Sequence, residues 1–164
     1  MKVAFDLDNT LIRYAHDFAL ETPQKSLLAR LFHVEKLRYG TIEIFNYCKS
    51  QNWETWIYTT SFRSKWYIKT LFWVHSIALD GVINQEIHNQ NVKVSSSKHP
   101  PTFGIDVVID DSEGVKIEGE RFNFDVIWLK ADNENWVNDL KLALAEIHIK
   151  YINAKRAPSV KTPF

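Results

Sequence analysis

The apolar run Val3-Ala4-Phe5 leads without a break into Asp6-Leu7-Asp8-Asn9-Thr10-Leu11. A short β-branched and aromatic run bounded by polar residues is the sequence form of an interior strand. The chain therefore opens on a strand that delivers two carboxylates to its end. Side chains alternate along a strand, which places Asp6 and Asp8 on one side and returns Leu7 to the packing. Carboxylates held that close repel unless a cation or a shared proton offsets them, and an oxygen-ligated Mg²⁺ does so. The simpler reading is that Asp8, Asn9 and Thr10 cap or shape the turn after the strand.

The other 150-odd residues must supply the rest of such a site. At 164 residues, 45% of them hydrophobic, the chain has the size of one domain and enough apolar side chains for a core. The expected layout is one domain over residues 1–153 and a disordered tail over 154–164, where Lys155, Arg156 and Lys161 mix with Pro158 and Pro163. Twenty basic residues balance twenty acidic ones, so there is no overall electrostatic pull toward nucleic acid or an anionic membrane. A nucleic-acid partner would need a local patch. The one cysteine, Cys48, sits among Ile44, Phe45 and Tyr47 and reads as a core thiol. With no internal disulfide, no apolar leader and no run long enough to cross a bilayer, the expected location is the cytoplasm. Zinc-ligand spacing and nucleotide-binding glycine loops are both missing from the sequence.

Along the chain, residues 12–23 mix aromatic, charged and proline residues and read as a hairpin or irregular loop. Leu27, Leu28, Leu31, Val34 and Leu37 predict a helix over Gln24–Tyr39, broken by Gly40. Thr41 is then placed to cap a second helix running to about Gln51. Thr55-Trp56-Ile57-Tyr58-Thr59 reads as a buried strand, and one hydroxyl of Thr59, Thr60 or Ser61 as the cap of a helix starting near Phe62. That helix is apolar on more than one face, which predicts deep burial, with a homo-oligomer contact as the alternative. Leu79–Asn84 reads as a turn into a short strand, and Asn84–Ser97 as a polar loop. Val107–Ile109 forms a strand that ends on Asp110-Asp111-Ser112, a second costly pair of carboxylates. Phe124–Leu129 reads as a fifth strand and Asn135–Asn153 as an amphipathic helix. Strands alternating with helices predict an α/β fold: a three-layer α/β/α sandwich, Rossmann-like, with a mostly parallel sheet and its site at the carboxyl ends of the strands.

The strings DLDNTL and VVIDDS resemble motifs I and IV of the haloacid dehalogenase (HAD) superfamily, and IYTTSFRSKWYIK resembles motif II of its capless phosphatases that act on phosphoproteins. The resemblance implies a nucleophile at Asp6 and a general acid/base at Asp8. It implies Mg²⁺ held by Asp6, Asp8 and Asp111 with Asp110 in support, a motif II hydroxyl at Thr59 with Thr60 as competitor, and a motif III lysine at Lys98 with Lys93 as the alternative. Asn9, Thr60 and Ser61 would touch the substrate, and Arg13, Tyr14 and His16 would lie on a flap above it. Only 29 residues, 12–40, separate Leu11 from Thr41, too few for a large cap domain. The implied activity is a Mg²⁺-dependent phosphatase that hydrolyses a phosphomonoester through an aspartyl-phosphate, on a phosphoprotein or other large substrate. The alternatives are a non-catalytic module that binds a metal or a phosphorylated partner, a phosphotransferase, and a nucleic-acid end phosphatase.

Overall fold

The computed structural model describes residues 1–156. Five parallel strands, β1 (Lys2–Phe5), β2 (Glu54–Tyr58), β3 (Gly81–Ile83), β4 (Val107–Asp110) and β5 (Asp125–Trp128), form one sheet in the order β3-β2-β1-β4-β5. Among the described residues six α-helices accompany them: α1 (Ser26–Leu31), α2 (Thr41–Ser50), α3 (Lys65–Trp73), α4 (Gln85–Asn91), α5 (Glu113–Phe122) and α6 (Trp136–Arg156). Among the described residues, no helix is long and apolar enough to cross a membrane.

Strand alternation divides the core in two. Val3, Phe5, Val107 and Ile109 belong to a large cluster with Phe45, Leu71, Phe72 and Leu144, while Ala4 and Val108 join Tyr58, Ile83 and Val115 on the other face. A sheet buried on both faces has near-continuous apolar strands, which is why β1 and β4 are apolar at nearly every position. Topology then sets the site. The chain winds one way from β1 to β2 and β3 and the other way from β1 to β4 and β5, so the crevice at the β1/β4 carboxyl ends is the switch point where such sheets bind ligands.

Several local expectations are corrected. The helix predicted over Gln24–Tyr39 shrinks to six residues, because Leu27 and Leu31 have no partner layer and stay exposed, and His33 turns the chain with a φ of 50°. Residues 12–40 instead lie along the core through isolated bridges, Ile12 to Leu37 and Leu20 to Arg38. Thr41 is the first residue of α2, and its hydroxyl donates to the Arg38 carbonyl; the cap position is Gly40. Ser64, not one of the three hydroxyls before it, caps α3 by accepting from the Tyr67 N–H. α3 is amphipathic: Ile68, Leu71 and Phe72 are buried, while Trp66 and Trp73 are exposed. The polar stretch after Asn84 contains α4, started by the Asn84 side chain accepting from the Ile87 N–H, and α5 follows Ser112. α6 continues through Arg156, beyond the boundary expected at 153; the remainder of the expected tail lies outside the described residues.

Candidate active site

β1 ends at Phe5, and the Asp6 N–H still donates to the Ile109 carbonyl at 2.8 Å, which sets Asp6 beside Asp110 at the end of β4. The chain then folds tightly: Leu11 and Ile12 N–H groups both donate to the Leu7 carbonyl at 2.9 Å, and Asn9 takes a φ of 61°. Asn tolerates that left-handed conformation better than most residues. Leu7 is fully buried, whereas Asp8 keeps a quarter of its side chain open to a cleft of about 490 Å³. Asp6, Asp8, Lys98, Asp110 and Asp111 all line it.

At its floor Lys98 lies between two carboxylates. Its Nζ donates to Asp6 Oδ1 at 2.5 Å and to Asp110 Oδ2, and the lysine is only 2% exposed. Its backbone is fixed from both sides. Glu118 accepts from the Ser97 N–H (2.7 Å), the Ser97 hydroxyl (2.6 Å) and the Lys98 N–H (3.2 Å), while the Tyr58 hydroxyl accepts from the His99 N–H at 2.9 Å. Lys93, exposed two residues beyond α4, donates to the Gln90 carbonyl.

Two carboxylates compete for one ammonium, and the consequences are opposite for the two charge types. Burial raises Asp6 most, Lys98 pulls it down and the neighbouring Asp110 charge pushes it up again, and the balance leaves it at about 7. Burial alone would lower Lys98, yet its attraction to Asp6 and Asp110 prevails and raises it. Lys98 therefore keeps its proton, and the strain falls on the acids. Asp111 is also raised, chiefly by burial, against a hydrogen bond from the Thr10 hydroxyl to its Oδ1 at 3.0 Å. Oxygens of Asp6, Asp110 and Asp111 lie within 4.8 Å of one another. This all-carboxylate set is the hard-oxygen donor type that suits Mg²⁺ or another hard divalent cation.

The other sequence candidates take varied places. Thr60 and Ser61 line the cleft, and Thr59 is buried at the end of β2 with its Oγ1 accepting from the Ser61 N–H at 3.1 Å. Asn9 lines the cleft, but its Oδ1 accepts from the Ala15 and His16 N–H groups (2.6 and 3.2 Å) and so holds the 12–18 turn. Tyr14 stands at the cleft edge, 79% exposed. Arg13 turns back to Asp17 and the Phe18 carbonyl, and His16 is exposed.

Sequence reasoning missed Arg63. Its Nη1 donates to Asp8 Oδ1 at 2.9 Å and Oδ2 at 3.0 Å, while Nε and Nη2 grip Glu35 at 3.2 and 3.0 Å. Burial opposes its charge, but the hydrogen bonds and attraction of Glu35 and Asp8 outweigh it and raise the guanidinium's pKa. Its position four residues after Thr59 was the one available signal; Glu35 gave none.

No family model and no curated protein matches the sequence. Solved structures do. An uncharacterized protein from Listeria monocytogenes serotype 4b superposes with a TM-score of 0.57 at 15% identity, over 90% of this chain and 98% of that one. A HAD-superfamily hydrolase, subfamily IA, variant 1, from Geobacter sulfurreducens PCA gives 0.49 at 15% identity (77% and 85% covered). A predicted HAD-like family hydrolase from Porphyromonas gingivalis gives 0.47 at 13% identity (87% and 97% covered). The likeness is one of fold: this chain has the parallel α/β fold of the Listeria protein, and HAD-like hydrolases stand among its structural neighbours.

Proposed function

We propose that this protein is a Mg²⁺-dependent phosphohydrolase of the HAD type, acting on a phosphomonoester. The observation that carries the reading is the pairing at the β1/β4 switch point: a buried lysine joins Asp6 to Asp110, with Asp8 two residues on, facing the cleft. Asp6, Asp110 and Asp111 fit a hard cation, with the Asp8 backbone carbonyl as a further ligand. When bound, Mg²⁺ would supply positive charge between an anionic nucleophile and an anionic substrate.

An Asp6 carboxylate oxygen attacks phosphorus as the bond to the leaving oxygen breaks, and Asp8 gives that oxygen its proton. Asp8 then takes a proton from water, which attacks the aspartyl-phosphate and releases inorganic phosphate with Asp6 restored. Lys98 and the motif II hydroxyl, Thr59 or the cleft-lining Thr60, hold the transferring oxygens, and Asn9, Thr60 and Ser61 border the substrate. The exposed cleft edge at Tyr14 supports a large phosphorylated substrate such as a phosphoprotein.

The test is hydrolysis of an aryl phosphate by the wild type with Mg²⁺, by the wild type with EDTA, and by Asp6→Asn. Turnover that needs the metal and vanishes in the variant supports the proposal; turnover that survives either change sinks it.

A further inference from the structure

The mechanism above leaves unexplained why an arginine is bound to the acid/base. Asp8 must present one oxygen to a leaving group, then to water, and a free aspartate on a turn samples several rotamers. Arg63 removes that freedom, because its Nη1 meets both Asp8 oxygens at 2.9 and 3.0 Å. The guanidinium is itself set by a fork onto Glu35, through Nε at 3.2 Å and Nη2 at 3.0 Å. A planar fork on a carboxylate fixes orientation as well as distance. Glu35 in turn accepts from the Tyr67 hydroxyl at 2.9 Å, on the first turns of α3.

The backbone under Arg63 is equally fixed. Asn84 donates to the Arg63 carbonyl at 3.1 Å, the Gln85 N–H donates to Ser61 at 3.0 Å, and the next residue, Ser64, caps α3. A surface ion pair with loose geometry would be worth little. Here four hydrogen bonds from one guanidinium lie along the wall of the cleft, its side chain only 25% exposed.

Resting on the phosphatase reading, we propose that Tyr67, Glu35 and Arg63 form a positioning relay for Asp8. Arg63 orients the acid/base, Glu35 orients Arg63, and the 12–40 excursion, which supplies Glu35, is thereby part of the active site. None of the three touches the reacting atoms.

The experiment measures kcat/KM for a series of aryl phosphates from p-nitrophenyl to phenyl, with wild type, Asp8→Asn, Arg63→Lys, Glu35→Gln and Tyr67→Phe, each checked for folding by its thermal transition. A good leaving group needs no proton and a poor one does, so misplacing the acid costs most on phenyl phosphate. Arg63→Lys and Glu35→Gln are expected to lose about 10²-fold on phenyl phosphate and less than about threefold on p-nitrophenyl phosphate, the same pattern as Asp8→Asn. Tyr67→Phe should lose less in the same pattern. Added guanidinium should restore Arg63→Ala, and Glu35→Gln should cost nothing further in that background. A uniform loss across the series, or a rise in KM alone, overturns the relay and makes Arg63 a structural or substrate-binding residue while leaving the phosphatase reading intact. A folded, Mg²⁺-loaded wild type that turns over no member of the series removes the reading and the relay with it.

Discussion

Replacing Lys98 by Met tests whether charge balance at the cleft floor is what makes this site tolerable to the fold. Lys98 is 2% exposed and contacts Asp6 and Asp110, themselves 6% and 1% exposed. Met keeps much of the stem's volume, so cavity formation contributes little. The ammonium is lost, and removing one partner of a buried ion pair costs about 3–5 kcal/mol because the remaining charge is left uncompensated. That cost depends on pH, with a definite sign. A carboxylate whose folded pKa exceeds its unfolded value binds more protons folded than unfolded, so stability falls as pH rises through the interval. For Asp6 the interval already runs from its ordinary 3.8 to about 7 with Lys98 in place, and without Lys98 it extends upward. Lys98 itself is raised above its ordinary 10.5, so its stabilisation is complete below that value and persists across neutrality. The variant should therefore come closer to wild-type stability near about pH 4, where Asp6 is protonated, and show the full deficit by about pH 8. Urea unfolding in EDTA at several pH values measures this, and added Mg²⁺ should return part of the deficit by binding the folded state. A difference that is the same at every pH, or smaller than about 1 kcal/mol at pH 8 in EDTA, would refute the reasoning.

Other substitutions probe separate parts of the argument. Asp8→Asn should fold and lose about 10²–10⁴-fold in kcat, read on phenyl phosphate. Gly81→Ala would set a Cβ 2.2 Å from the Trp56 ring at the β2/β3 pairing, and should lower the denaturation midpoint by the equivalent of about 1–3 kcal/mol. Wild-type stability there would show that Trp56 moves aside freely. His75 is buried with neither ring nitrogen hydrogen-bonded, and burial lowers its pKa to about 4. The unfolded chain binds this proton below its ordinary 6.5, so His75 costs stability as pH falls from 6.5 toward 4, opposite in sign to Asp6. His75→Leu should gain on wild type across that window, and parallel acid limbs of the two stability profiles would contradict the assignment. Ser64→Ala removes the α3 cap and should cost about 1 kcal/mol in thermal or urea unfolding.

The strands were the legible part of the fold, since each is a short apolar run ended by a polar residue. α6 was legible because Trp136, Leu140 and Leu144 recur on one buried face. α4 was not: of QEIHNQN only His88 is buried, so there is no apolar period to read, and the helix rests on the Asn84 cap and its place after β3. α5 escaped for a related reason. It buries Val115 and Gly119, and a Cβ at Gly119 would lie 2.6 Å from Val126, so the contact that seats the helix is made by an absent side chain. α1 and α3 erred the other way. Leu27, Leu31, Trp66 and Trp73 look like core in a list of residues, but each is exposed, because hydrophobicity does not say which side a second layer covers.

By itself the sequence determined which carboxylates end which strands. Asp6 follows β1 and Asp110 ends β4 because an apolar run stops there, and that stop is local information. Tertiary structure decided which charges meet. Lys98 reaches Asp6 across 92 residues, and Arg63 joins Asp8 and Glu35 across 55 and 28. A parallel sheet gathers the carboxyl ends of strands remote in the chain at one edge. Which lysine lies there, and which arginine takes hold of the second aspartate, follows from register and loop path, and neither has a period that a sequence can display.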